Sequence, residues 1–223
     1  MKTRIVSAAL LAGGLLVSSA SFAQLNLQQF GIGGGNSSSN AGNAAASGGI
    51  GQLLQNYVGA NQQVLSGQSS LASAMGLSSA ASQAQQASGL LSGGTPSVSQ
   101  LSQVGSTQQS LSQTLTQAFT SRASDSSTPV DKQAFSSGLA SLGQGVSQYS
   151  SLQSSLGSIG QMSPSSLLQS GMNPQSAQAA SYIAQSAPGQ LQSLASTLSA
   201  AVQFATSHGI SVPSIATSAL KGF

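Results

Sequence analysis

The sequence predicts an all-α protein: an antiparallel bundle of amphipathic Ser/Gln/Ala-rich helices behind a cleaved signal peptide and a disordered Gly/Ser/Asn-rich tether. Three observations carry that expectation. Apolar residues in the body of the chain recur at spacings of three and four, the signature of a helix stripe. Residues that cap helices, several of them next to Pro, stand ahead of those runs. Hydrophobic residues make up 39% of the chain and 26 Gly come in addition, enough to build a core, while charged residues make up only 3%. Ordinary soluble domains carry about 25% charged residues. Here 50 Ser and 29 Gln must solvate the surface instead.

Residues 1–23 combine a basic start at Lys2 and Arg4, an apolar run from Ile5 to Val17, and a small-residue exit at Ser21, Phe22 and Ala23. That is the order of parts in a secretory signal peptide, with cleavage expected after Ala23. A spanning helix needs about 20 continuous apolar residues, and this run is shorter and broken by Gly13 and Gly14. Lipid anchoring of the bacterial lipoprotein kind needs a Cys, and the chain has none. The expected destination is the periplasm or the medium, with no integral membrane span in the mature chain.

Residues 24–51 are expected to form a low-complexity flexible tether, since FGIGGGNSSSNAGNAAASGGIG offers almost nothing to bury. A helical domain is expected over residues 52–223. Its first stripe is Leu54, Tyr57, Asn61, Val64, Gln68, Leu71 and Met75, with a break expected near Ser66 because Gly59 and Gly67 weaken a helix. Residues 79–91 suit a short Ala-lined helix. Ser97 then offers an N-cap to a helix whose face carries Leu101, Val104, Gln108, Leu111, Leu115 and Ala118 and which runs to about Arg122.

The connector RASDSSTPVDK holds four of the five charges left after signal removal. Within it, Thr128, Pro129 and Asp131 have capping-box spacing. Phe135, Leu139, Leu142, Val146, Tyr149 and Leu156 follow on one helical face to about Gln161, in a helix that Gly138, Gly143, Gly145, Gly157 and Gly160 are expected to kink or split. Ser163-Pro164 and Asn173-Pro174 repeat the start signal, the second helix reaching Gln185. Pro188 is expected to interrupt it before a stripe of Leu191, Leu194, Leu198, Ala201 and Ala205 that closes at His208-Gly209. One last turn is expected over residues 214–220.

Chemistry is scarce in this alphabet. Without Cys there is no thiolate nucleophile, zinc finger or iron–sulfur cluster. His208 is the sole His, and a triad would have to join it to Asp125 or Asp131 and a Ser that no nucleophile-elbow motif marks. Its simpler role is at a helix C-terminus ahead of a glycine cap. The two Asp suit a cap and a solvated turn better than an acid/base pair, and one His with two Asp is too few for most metal sites. No catalytic, cofactor-binding or metal-binding residue is therefore assigned, no cofactor is expected, and the chain is read as a non-enzyme. With three cations against two anions after signal removal, the side-chain balance is +1, too dispersed for nucleic acid.

Asn61, Gln108 and Gln153 interrupt apolar stripes at mid-helix. Buried, they would set helix register; at the stripe edge they would simply meet water, the plainer expectation in a Gln-rich chain. Ser137, Ser141 and Gly145 form a small-residue strip suited to close helix packing. The Gly-rich, Cys-free, aromatic-poor composition is similar to that of harpins, secreted bacterial elicitors. Harpins leave the cell without a cleaved signal, so the resemblance stops at composition and transfers no residue role. The expected function is that of an exported bacterial non-enzymatic protein acting by self-association or by contact with a cell-surface or matrix partner. The alternative is a periplasmic carrier or chaperone that holds an apolar ligand or an unfolded client between its helices.

Overall fold

A computed structural model describes residues 41–93, 95–123, 130–159 and 173–222. The expected signal peptide, the tether up to residue 40, Asp125, the Thr128-Pro129 pair and the Ser163-Pro164 start lie outside them. The described chain is all-helical: α1 (Ala41–Ala74), α2 (Ser78–Leu90), α3 (Val98–Ser121), α4 (Lys132–Ile159), α5 (Pro174–Ser207) and α6 (Ser214–Leu220).

Local chemistry sets several of the helix ends. Ser97 closes a capping box, its Oγ accepting from Gln100 N at 3.3 Å while Gln100 Oε1 accepts from Ser97 N at 2.8 Å, which satisfies two otherwise orphan donors. Asn173 Oδ1 accepts from Gln175 N at 3.0 Å, and Pro174 fills the first helical position, where its missing N–H costs nothing. Asp131 stands directly ahead of α4 rather than in its first turn, and its Oδ1 accepts from Gln133 N and Ala134 N at 3.1 and 3.0 Å. At the far ends of α1 and α5, Gly76 and Gly209 adopt positive φ of 71° and 61°. Leu77 N then reaches back to Ala72 O at 2.8 Å and Ile210 N to Ala205 O at 2.8 Å, the glycine-dependent C-terminal lock.

Three expected interruptions do not occur. Helix α1 begins at Ala41, inside the stretch read as tether, with Ile50 buried, and it passes Gly59 and Gly67 without a break. Helix α4 is continuous past Gly138, Gly143 and Gly145. Helix α5 runs through Pro188. Proline and glycine carry a fixed local cost, and packing along the whole length of each helix outweighs it. Pro188 is exposed, so water can reach the carbonyl one turn back that its ring leaves without an N–H, while Ile183, Ala187, Leu191 and Leu194 of the same helix stay buried.

Glycine has a different purpose at the contact of α1 with α4. A Cβ on Gly67 would stand 2.5 Å from Leu142 N and 2.9 Å from Gly138 O; one on Gly138 would stand 2.9 Å from Leu71 N, and one on Gly145 2.9 Å from Val64 N. The two backbones touch, and only glycine permits it. The small-residue strip is therefore Gly138 facing Gly67 and Leu71, with Gly145 facing Val64 and Ala60, not the expected Ser137–Ser141–Gly145 line: Ser137 is exposed and Ser141 half-buried. On the next face of α4, Gly143 gives the same close approach to α6, where a Cβ would meet Ala216 Cα at 2.7 Å.

These contacts fix direction. Along α1, Ala60, Val64, Gly67 and Leu71 meet positions 145, 142 and 138 of α4 in descending order, so the two helices run in opposite senses. Helices α4 and α5 are likewise opposed, through Tyr149 with Gln190 and Phe135 with Phe204. By contrast α3 and α5 run in the same sense, Leu101 facing Tyr182 and Phe119 facing Phe204. Leucine, alanine, Tyr57, Tyr149 and a Phe119/Phe135/Phe204 cluster fill the shared core.

Two glycine substitutions separate packing from propensity. Gly67→Ala is expected to destabilise the fold by about 1–3 kcal/mol through overpacking against backbone. At Gly59 a Cβ would meet nothing within 4 Å, and Gly59→Ala is expected to stabilise the fold by up to about 1 kcal/mol. Urea denaturation of both variants measures the difference.

Candidate functional site

The α1 stripe contains two polar residues, Asn61 and Gln68, both fully buried, and α3 contributes Gln108 and Ser112, almost as deep. They form one chain of hydrogen bonds. Asn61 Nδ2 donates to Tyr57 O at 2.7 Å, Gln108 Nε2 donates to Asn61 Oδ1 at 2.8 Å, and Gln68 Nε2 donates to Gln108 O at 3.2 Å and to Ser112 Oγ at 3.0 Å. The backbone carbonyls dictate the amide orientations. Because Tyr57 O can only accept, Asn61 must turn its nitrogen to it and its oxygen to Gln108, which must answer with nitrogen. Gln108 Oε1 then points away and has no partner, and neither has Gln68 Oε1.

Asn61 and Gln108 are thus core residues that join α1 to α3, and the expectation that they sit at a wet stripe edge is corrected. Helix pairing covers both: α2, α4 and α5 close around α1 where an isolated amphipathic helix would leave an edge. Gln153 does lie on an exposed position.

A second polar cluster lies one layer over. Tyr57 Oη and Tyr149 Oη both donate to Gln190 Oε1, at 2.8 and 3.0 Å, and the two rings meet edge to face with centroids 5.5 Å apart. Burial pushes the Tyr57 hydroxyl above its ordinary range and the Tyr149 hydroxyl well above it, the neighbouring tyrosine adding to the second. Tyr182 Oη donates to Leu101 O at 3.5 Å and ties α5 to α3. Gln190 was not singled out by its sequence. Yet Ile183, Gln190, Thr197 and Phe204 recur at sevens, a stripe that would have marked it.

Between the co-directional helices α3 and α5, Gln108, Ser112, Tyr182 and Gln190 help to line a groove of about 500 Å³. Gly105 and Gly189 open it, Gln108, Gln190 and Ser186 lie along it, and Tyr182 and Leu194 are its two large apolar side chains. No lining residue is charged. A Cβ on Gly105 would stand 2.6 Å from Gln190 Nε2, so this glycine lets the Gln190 amide reach across from α5.

The remaining candidates are placed apart from it. His208 caps α5, its Nδ1 donating to Phe204 O at 2.9 Å with Ser207 Oγ at 3.1 Å, and its ring stacks on Phe204 at 4.0 Å between centroids. Asp131 uses its Oδ1 on the start of α4. Among the described residues no three His, Cys, Asp or Glu gather as a metal site would require. Arg122 donates to Met75 O and Lys132 to Gly209 O, so the connector's cations serve helix C-termini. No helix among the described residues is long and apolar enough to cross a membrane. Comparison with protein-family models, curated proteins and solved structures returns no match for this chain.

The buried tyrosines give the fold an alkaline limit. Their folded-state pKa values lie above the unfolded value near 10, so the stability tied to their neutral forms is complete below pH 10 and lost as pH rises beyond it. Melting temperature is expected to fall above about pH 10, and less steeply in Tyr149→Phe, when thermal unfolding is followed by circular dichroism across that range.

Proposed function

We propose that this chain is an exported bacterial protein without catalytic activity that acts by contact, through self-association or through a cell-surface or matrix partner, with the α3/α5 groove as the contact site. The observation that carries this reading is the groove itself, a recess lined by hydroxyl and amide groups and free of charge. Hydrogen bonding and shape, rather than ion pairing, are what such a surface offers a partner. Among the described residues Ile215 stands out as the exposed large apolar side chain. An obligate dimer would cover a broad apolar face, so the contact envisaged is polar and reversible.

Export rests on residues 1–23, whose basic, apolar and small-residue parts follow signal-peptide order. The periplasmic carrier is the second reading, favoured by the volume of the groove, which falls within the roughly 300–1,000 Å³ typical of small-ligand sites. Its lining suits a polar ligand rather than the apolar one expected from the Ala/Leu stripes, because those stripes are consumed in the core.

Cell fractionation with N-terminal sequencing tests the proposal. The mature chain is expected to begin at Gln24 and to be recovered from periplasm, envelope or medium. Light scattering is expected to show reversible association, or washed cells to retain the protein, and His208→Ala is expected to change neither. A chain kept in the cytoplasm with residues 1–23 attached, or a strict monomer that washes free of cells and matrix, overturns it.

A further inference from the structure

We propose that α3 is a lid: it lifts from the bundle as a unit, hinged at its C-terminal end, while α1 and α4 stay locked together. This opening is a property of the fold and depends neither on export nor on the α3/α5 groove being a contact site.

Three observations set α3 apart from the other long helices. Its seat on α1 is polar at mid-height, where Asn61 and Gln68 meet Gln108 and Ser112, and both Gln68 Oε1 and Gln108 Oε1 are buried without a partner. Each unmade bond costs free energy in the closed bundle, and water restores it once the helix lifts. Open space also flanks α3 on two sides: the groove of about 500 Å³ toward α5, and another of about 460 Å³ toward α2, between Gln86 and Leu90 on one wall and Gln103 and Ser110 on the other. Helices α1 and α4, by contrast, touch backbone to backbone. Finally, α3 completes its own start. Ser97 and Gln100 close the capping box locally, so the first turn needs no partner helix to satisfy it.

The hinge follows from what holds the other end. Phe119 packs against Phe135 and Phe204, and Arg122 donates to Met75 O, which fastens the end of α3 to α4, α5 and the end of α1. Toward the start of α3, the hydrogen bond from Tyr182 Oη to Leu101 O is 3.5 Å long, beyond the ordinary range for a hydroxyl donor. Leu101, Val104, Leu111 and Leu115 are buried, and their burial keeps the closed form dominant. Lifting uncovers that stripe and runs the two grooves together. It supplies the carrier reading with what the closed bundle lacks, an apolar stripe within reach of a ligand.

Native-state hydrogen exchange of the full mature chain tests the lid. Amides of α3 (residues 101–115) are expected to exchange faster than those of α1 (57–71) and α4 (138–149), through an opening that rises only shallowly with urea. Gly67→Ala strains the α1/α4 contact in the closed and the lifted form alike. It is expected to speed exchange in α1 and α4 and to leave α3 unchanged at low urea. Gln68→Met removes one unpartnered acceptor and leaves Ser112 Oγ to turn to a carbonyl of its own helix; it is expected to slow α3 exchange about tenfold. The inference is overturned if α3 amides share the urea dependence of α1 and α4, if Gly67→Ala speeds all three helices equally, or if Gln68→Met leaves α3 exchange unchanged or faster. Should Gly67→Ala fail to fold, the urea dependence and Gln68→Met decide the matter.

Discussion

The contact of α1 with α4, backbone against backbone at Gly67, Gly138 and Gly145, is the constraint from which the rest of the architecture follows. Two helices that close have one register only, because each glycine must face the chain it admits. That register sets Tyr57 edge to face on Tyr149 and brings both hydroxyls to a single acceptor on α5. It also turns the flank of α1 that carries Asn61 and Gln68 toward α3. A chain with so few charges cannot select register by salt bridges between helices, and glycine contacts with buried amides take that place.

The opposite side of the molecule is built differently. Where α1 and α4 meet backbone to backbone at their glycines, α3 and α5 are spanned by Tyr182 and Gln190 and leave a recess. Polar groups in a core cost free energy unless paired, roughly 1–3 kcal/mol for each one left unmade. Among the described residues three buried side-chain atoms remain unpaired, and two of them belong to residues that line the recess. Leucine at position 108 would strand the buried Asn61 Oδ1, so the Gln108 amide belongs to a relay that ends on the Tyr57 carbonyl.

Much of the helical layout was legible in advance. Every residue of the stripe from Leu54 to Met75 is buried, as are Phe135, Leu139, Leu142, Val146, Tyr149 and Leu156. The caps at Ser97 and Asn173 are made by the expected side chains. Breaks were less legible: Gly67 and Pro188 both lie inside uninterrupted helices. A helix considered alone counts glycine and proline as losses, and the compensating contact belongs to another segment far along the chain. The same reasoning hid the groove, since Gln190 reads as one more glutamine until Tyr57 and Tyr149 are seen to converge on it.

By itself the sequence determined that the body of the chain is helical, which residues form the apolar stripes, and that Ser97 and Asn173 start two of the helices, because those properties depend on neighbours within about a turn. It also determined that the surface is solvated by hydroxyls and amides, for want of any other polar alphabet. Only the tertiary structure decided which glycines admit a partner backbone, that Asn61, Gln68 and Gln108 lie in the core, and that α3 and α5 stand apart around an uncharged recess. Those outcomes depend on residues tens of positions away arriving at the same place, and a periodic pattern identifies a face to be covered without naming what covers it.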